Sequence, residues 1–192
     1  MARTKEFDEE EVLDKALQLF REKGYNGTST QDLVDRLCIS RSSMYNCYTD
    51  KYNLFLQVLG RFRETATESF IAKLKAASSL KSVLHQVFQD VIGDEEGGCF
   101  LASCALETAP REPEVARLVR ENMEAVEGAL VEAIKKAQRA GEISTGWTPR
   151  KLAGYLYSSL NGLMILLSFG ADKKACRDIA SICLSVLETP GQ

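Results

Sequence analysis

Polar side chains recur at helical spacing between residues 41 and 46. At 100° per residue, four of them fall within an arc of about 140°: Arg41, Ser42, Tyr45 and Asn46. Met44, Cys47 and Tyr48 fall on the opposite, apolar side. Arginine can donate to guanine O6 and N7, asparagine can pair with adenine N6 and N7, and hydroxyl groups suit phosphates or bases. The pattern therefore predicts a short helix that reads nucleic-acid bases.

Short helical segments on either side would position this face. Leu33 and Leu37 form the inward side of a preceding helix, and Ser40 can cap the helix that begins at Arg41. Two short helices joined by a three-residue turn are typical of a helix-turn-helix. Lys51 then begins a further helix, where it could contact a phosphate. Spacing alone equally allows a solvated helix pair inside an all-α protein.

The remaining reactive side chains show no catalytic or metal-binding pattern. The six cysteines form no C-x-x-C pair, and His85 is the only histidine, so we expect no enzyme, no cofactor and no metal site. Cys99 and Cys104 are five residues apart and have no basic neighbour, which favours buried thiols over a redox sensor.

Helical periodicity recurs along the chain and predicts an all-α fold of about nine helices. The first helix has Asp8 as cap, Glu11 to complete a capping box, Phe7 to pack on Val12, and Gly24 as its end. Further helices are predicted from Lys51 towards Ala77, over 83–91 and 99–108, from Pro113 to about Ala140, over 149–169 and over 173–187.

Composition is that of an ordinary globular protein. The net charge is −3 and the sequence pI is about 5.4, while residues 1–63 hold ten basic and ten acidic side chains and are neutral. Any nucleic-acid footprint must therefore be local. The first twenty residues lack the order of a secretory signal, so we expect a cytoplasmic protein.

A charge-free segment covers residues 152–171. Its length could span a bilayer, but its serines and asparagine favour a helix buried within a dimer, and no membrane association is expected. With the last helix it predicts a four-helix dimer interface. The interface residues are Gly154, Ser158, Gly162, Ile179, Cys183 and Val186.

Apolar and polar residues between positions 62 and 161 could line a ligand pocket, because such pockets combine an apolar wall with a few polar groups. The candidates are Phe62, Phe88, Cys99, Phe100, Ser103, Met123, Tyr155 and Asn161.

Residues 8–55 resemble the N-terminal domain of TetR-like (tetracycline-repressor-like) transcriptional regulators. The matching residues include Ala16-Leu17-Gln18-Leu19-Phe20, Gly24-Tyr25, Thr28-Ser29, Leu33-Val34, Ile39-Ser40-Arg41, Met44-Tyr45, Asp50-Lys51 and Leu54-Phe55. Residues 97–108 and 140–143 also resemble segments of that family. Cys38, where the family has glycine, and Tyr48, where it has phenylalanine, depart from its pattern.

The resemblance implies a helix-turn-helix DNA-binding domain over residues 1–50 and a ligand-binding and dimerisation domain over 51–192. Carried over residue by residue, it places Thr28, Tyr45 and Lys51 at phosphates. It places Arg41, Ser42 and Asn46 near base edges.

The hypothesis is a repressor that binds a pseudo-palindromic, double-stranded operator as a homodimer and is released by a small apolar or amphipathic effector. One alternative is a cysteine-based redox or electrophile-sensing repressor of the same family. Another is a dimeric interaction module with weak DNA binding.

Overall fold

The computed structural model describes residues 8–94 and 100–188, and these residues form helices and connections without strands. The helices are α1 (Glu9–Gly27), α2 (Thr30–Leu37), α3 (Arg41–Tyr48), α4 (Lys51–Phe62, a π-helical turn Arg63–Thr67, and Glu68–Ala76), α5 (Leu80–Gly93), α6 (Phe100–Glu107), α7 (Pro113–Arg139), α8 (Pro149–Ser168) and α9 (Lys173–Ser185). The predicted all-α fold of about nine helices is confirmed.

Side-chain caps begin each of the first four helices. The capping residues are Asp8, Ser29, Ser40 and Asp50, and the sequence pattern predicts Asp8 and Ser40 among them. Each accepts a hydrogen bond from a backbone N–H group that the helix start would otherwise leave unpaired. At α2, Asp32 completes a capping box with Ser29. At α1, Glu11 forms an ion pair with Lys15 at 2.7 Å, and Phe7 lies outside the described residues.

Helix α1 is interrupted at the glycine where the sequence predicts its end. Gly24 has φ 72° and ψ 170°, a conformation that is essentially restricted to glycine. One further helical turn leads from this break to Gly27. The break redirects the chain into the connection with α2.

The first hydrophobic core joins α1–α4 to α6 and the beginning of α7. Phe20 packs edge-on against Phe55 at 5.1 Å between ring centroids, and Phe55 lies 6.0 Å from Phe100 of α6. The same buried cluster contains Val115 and Val119 of α7. The apolar packing of the N-terminal helices therefore extends well beyond residue 50.

Helix α4 runs to Ala76, close to the predicted end, but it is not regular throughout. Its π-helical turn Arg63–Thr67 inserts one extra residue, so side chains beyond it are rotated by about 100° relative to an uninterrupted α-helix. The hydroxyl group of Thr65 donates to the carbonyl of Arg61 at 2.8 Å. This bond satisfies an acceptor beside the irregular turn.

The C-terminal helices enclose two further cores. Val126, Leu130 and Ile134 of α7 pack with Leu156 of α8 in one of them. The other joins Phe88 and Ile92 of α5 to residues of α8 and α9: Leu163, Cys176, Ala180 and Cys183. Among the described residues, no helix has both the length and the apolar character needed to cross a membrane.

Candidate functional site

Helix α3 presents its polar face to solvent and its apolar face to the core. Arg41, Ser42, Tyr45 and Asn46 are all exposed, and Tyr45 is 45% exposed although it is aromatic. Met44 and Tyr48 are buried beneath them. Burial raises the pKa of the Tyr48 phenol to about 12. The face is available to a partner, and the contacts of these four side chains with DNA remain a prediction.

Hydroxyl groups surround the start of α3. The Ser40 Oγ atom accepts a hydrogen bond from the Ser43 N–H group at 3.0 Å. It also lies 2.9 Å from the Ser42 Oγ and 2.8 Å from the Ser43 Oγ. Ser42 thus has a local partner as well as an exposed position, and Ser40 and Ser43 are polar neighbours that the predicted set omits.

The two turns that flank α3 contain non-glycine residues with positive φ. Cys38 has φ 54° and ψ 36°, the left-handed conformation that glycine adopts more readily. Thr49 has φ 64° and ψ −52°, and the Asp50 N–H group donates to the Tyr48 carbonyl at 2.6 Å, which makes a γ-turn. The chain therefore keeps both turns despite side chains that disfavour them.

The Lys51 ammonium group is directed at the connection between α1 and α2. Its Nζ atom donates to the carbonyl groups of Tyr25 at 2.8 Å and Thr28 at 2.9 Å, and it lies 4.2 Å from the Tyr25 ring centroid. Desolvation by burial lowers the pKa of Lys51. In this structure the Lys51 ammonium group is held by internal hydrogen bonds, and its expected phosphate contact remains a prediction.

Thr28 is 1% exposed, and its hydroxyl group donates to the carbonyl of Gly24 at 2.6 Å. In this conformation its side chain stabilises the break at Gly24 within α1. A direct phosphate contact through the Thr28 hydroxyl, which the resemblance implies, does not fit this burial.

Glu107 at the end of α6 contacts the last turn of α1, beyond the break at Gly24. Its carboxylate accepts hydrogen bonds from the N–H groups of Tyr25 at 2.9 Å and Asn26 at 2.6 Å. A Cβ atom placed on Gly24 would lie 2.7 Å from the Glu107 Oε2. Gly24 therefore supplies both the backbone angle and the space for this contact, which local sequence reasoning misses because the partners are 82 residues apart.

A cavity of about 380 Å³ lies between α4, α5, α7 and α8, with Leu101 of α6 also in its wall. Its lining includes the predicted pocket residues Phe62 and Asn161. It also includes residues that the prediction omits, among them Thr67, Tyr157 and Asn122. Asn122 is 3% exposed, and neither its Nδ2 nor its Oδ1 atom has a hydrogen-bond partner among the described residues.

The other predicted pocket residues that the structure describes lie elsewhere. Phe88 and Phe100 are buried within hydrophobic cores, Ser103 is half-buried on α6, and Cys99 lies outside the described residues. Met123 is 43% exposed because it lies one residue, and hence about 100°, away from the inward-facing Asn122. Tyr155 belongs to an exposed face of α8.

Helices α8 and α9 carry an exposed apolar surface, which we call the α8–α9 face. Its large members are Tyr155, Leu166, Phe169, Ile179 and Ile182. Phe169 is 85% exposed and Ile182 is 68% exposed. Of the residues predicted for a dimer interface, Ser158 and Ile179 are exposed, while Gly154, Gly162 and Val186 are half-buried.

Cys183 is the exception among the predicted interface residues. It points inward and packs with Phe88 and Cys176 in the core between α5 and α9. Ile182, one position earlier on α9, lies on the exposed side and was not in the predicted set.

Comparisons with known proteins identify the family. The family model described as bacterial regulatory proteins, tetR family, matches residues 12–58, and the one described as tetracyclin repressor-like, C-terminal domain, matches residues 80–182. The HTH-type transcriptional regulator YezE of Bacillus subtilis (strain 168) is 32% identical over 98% of this chain and 100% of that protein.

One further relative and one solved structure are similar to this chain. The HTH-type transcriptional repressor ComR of Escherichia coli (strain K12) is 28% identical over 95% of this chain and 90% of that protein. A cysteine mutant of the regulator CifR, solved with 26bp double-strand operator DNA, is 18% identical and shares the fold with a TM-score of 0.84, over 97% of this chain and 100% of that chain. The chain belongs to the tetR family of bacterial regulatory proteins and is a helix-turn-helix transcriptional regulator.

Proposed function

We propose that this protein is a cytoplasmic repressor that binds a pseudo-palindromic operator as a homodimer and is released by a small effector. The main observation in support of this proposal is the exposed polar face of α3, whose opposite side is buried through Met44 and Tyr48. Arg41 and Asn46 are the side chains best suited to base edges, and Ser42 and Tyr45 to bases or phosphates.

The α8–α9 face supports the dimer. Large exposed apolar side chains that lie together mark an interaction surface, and this one is formed by two neighbouring helices whose inner sides are already packed. Pairing of the face with a second copy would form a four-helix interface. The two α3 helices of such a dimer must reach successive major grooves about 34 Å apart.

The cavity supports the effector site. It is bounded by α4, which begins at the DNA-binding unit, and by α6, whose Glu107 contacts the last turn of α1. An effector that moves either helix would change the separation of the two α3 helices and so weaken simultaneous docking in both grooves. Linkage requires that operator then weakens effector binding by the same factor.

The decisive experiment is selection of the operator from random duplexes, followed by binding assays on variants. We expect Arg41→Ala and Asn46→Ala each to weaken binding to the selected site by about 1–3 kcal/mol and to relax base preference at one position. Arg139→Ala removes an exposed positive charge at the far end of α7 and is the matched control. Selection of no preferred sequence by the wild-type protein would contradict the proposal and leave an interaction module.

Assembly is tested separately. Ile182→Glu places a charge on the α8–α9 face, and we expect it to convert a dimer into a monomer in light scattering at micromolar concentration. Arg177→Glu, an exposed change on the same helix, is the control for helix α9. A wild-type monomer at that concentration would contradict the dimeric repressor.

A further inference from the structure

Asn122 is a polar residue in the inward row of α7, where its neighbours Val115, Val119, Val126 and Leu130 are apolar and buried. An amide group buried without hydrogen bonds destabilises a protein, because its two polar atoms lose their water partners. An apolar side chain of similar size would avoid this cost. The position therefore points to a role for the amide other than packing.

Asn122 lines the cavity between α4, α5, α7 and α8, and its two amide atoms are buried at the wall without a hydrogen-bond partner among the described residues. The π-helical turn of α4 contributes Thr65, Ala66 and Thr67 to the cavity wall, and such irregular turns are frequent at functional sites. Most of the remaining wall is apolar or aromatic, including Phe62, Phe70 and Leu160. The cavity thus combines an apolar body with one buried amide that can both donate and accept.

Charge in the cavity wall is balanced. Lys73 and Asp90 are the charged lining residues, and both are exposed. Asp90 in addition accepts a hydrogen bond from the Gln86 side chain at 2.7 Å. No buried charge among the lining residues would compensate the desolvation of a charged ligand. The wall therefore favours a neutral molecule.

We propose that the effector is a neutral amphipathic molecule whose polar end both donates and accepts a hydrogen bond, such as a carboxamide, and that this end pairs with the Asn122 amide. The inference rests on the proposed effector site and specifies its chemistry. A cavity of about 380 Å³ lies at the lower end of the range for small-molecule pockets, about 300–1,000 Å³. This size suits a ligand of about a dozen non-hydrogen atoms, with its apolar part against Phe62 and Phe70.

The test uses two probes of this size, 4-phenylbutanamide and methyl 4-phenylbutanoate. The amide donates and accepts, whereas the ester only accepts. We expect wild-type protein to bind the amide about 5–15-fold more tightly in calorimetric titration, the equivalent of one net hydrogen bond. In Asn122→Leu and Asn122→Ala the preference should disappear or reverse, because the amide of the ligand is then desolvated without a partner.

A second readout needs no ligand. Asn122→Leu removes two unpaired buried atoms, so we expect the Tm of the free protein to rise by about 2–6 °C. Gln89→Leu is the matched control, because it replaces an exposed amide on α5 that does not line the cavity. That variant should gain no Tm and should keep the amide preference.

Any one of three results would overturn this inference. They are a fall in Tm for Asn122→Leu, equal binding of the two probes to the wild-type protein, and binding of neither probe to the wild-type protein. Operator binding by the wild-type protein is measured in parallel. Its loss would contradict the proposed function, whereas intact operator binding with any of those three results would contradict the inference about Asn122 alone.

Discussion

The contact between Glu107 and the last turn of α1 provides a quantitative test of how α6 is joined to the N-terminal helices. In Glu107→Ala, the N–H groups of Tyr25 and Asn26 lose a carboxylate acceptor at 2.9 and 2.6 Å. In Glu107→Gln, one of the two N–H groups instead faces an amide NH₂ group, which cannot accept. Both changes should therefore destabilise the protein.

The magnitude follows from the number and exposure of the two bonds. A hydrogen bond to a charged group contributes about 1.5–3 kcal/mol when it is buried, but Asn26 is exposed and Tyr25 is half-buried, so water replaces part of the loss. We expect Glu107→Ala to lower the free energy of unfolding by about 2 kcal/mol. For a chain of this length, that corresponds to a fall in Tm of about 4–8 °C.

Gly24→Ala probes the same contact from the other side. It introduces backbone strain of about 1–3 kcal/mol at φ 72°, and it displaces the Glu107 carboxylate, whose Oε2 atom would lie 2.7 Å from the new Cβ atom. The displacement costs energy only while Glu107 is present. The double mutant should therefore be more stable than the sum of the two single changes by about 1 kcal/mol.

Urea denaturation of the wild-type protein, both single variants and the double variant measures this cycle. Glu124→Ala removes an exposed carboxylate from α7 and should change stability by less than about 0.5 kcal/mol. Strict additivity of the two changes, or a Glu107→Ala variant as stable as the control, would refute the reasoning.

Three further changes test the helix-turn-helix itself. Cys38→Gly should raise the free energy of unfolding by about 0.5–1 kcal/mol, because glycine relieves the left-handed strain but gains entropy when unfolded; a loss of stability in urea would contradict it. The Lys23 ammonium and the Ser29 hydroxyl group hold the pKa of Asp32 well below its usual value. The ionised Asp32 carboxylate therefore stabilises the folded protein above about pH 4, and this contribution is lost on further acidification. Asp32→Asn should flatten that acid decline of the urea midpoint, and Asp178→Asn should not. Lys51→Met should lower the free energy of unfolding by about 1–2 kcal/mol, since two carbonyl groups lose their donor. Unchanged stability would contradict a structural role for Lys51.

Local chemistry made the beginning of the chain predictable. The caps Ser40 and Asp50 and the break at Gly24 depend on residues within one turn of each other, and so does the separation of the α3 faces. Spacing alone nevertheless left a solvated helix pair equally open. The resemblance over residues 8–55 was needed to choose between the two interpretations.

The residues that line the cavity could not be predicted as well as the N-terminal helices. On α7, a phase error of one residue separates the exposed Met123 from the inward Asn122, although a single polar residue within the inward apolar row was a detectable signal. On α9, the same error separates Cys183 from Ile182. The π-helical turn Arg63–Thr67 changes the phase of α4 in a way that regular periodicity does not represent.

The first hydrophobic core has a consequence for recombination between regulators. Phe100, Cys104, Val115 and Val119 complete the core of α1–α4. A chimaera joined at residue 50 would therefore pack α1–α3 of this protein against core side chains from another protein, and the two sets of side chains would not match. A transplantable reading head must carry α6 and the first two turns of α7 with it, although these segments lie far along the chain. The unit of exchange in this protein is therefore discontinuous in sequence, and swapping specificity between relatives requires two crossover segments instead of one.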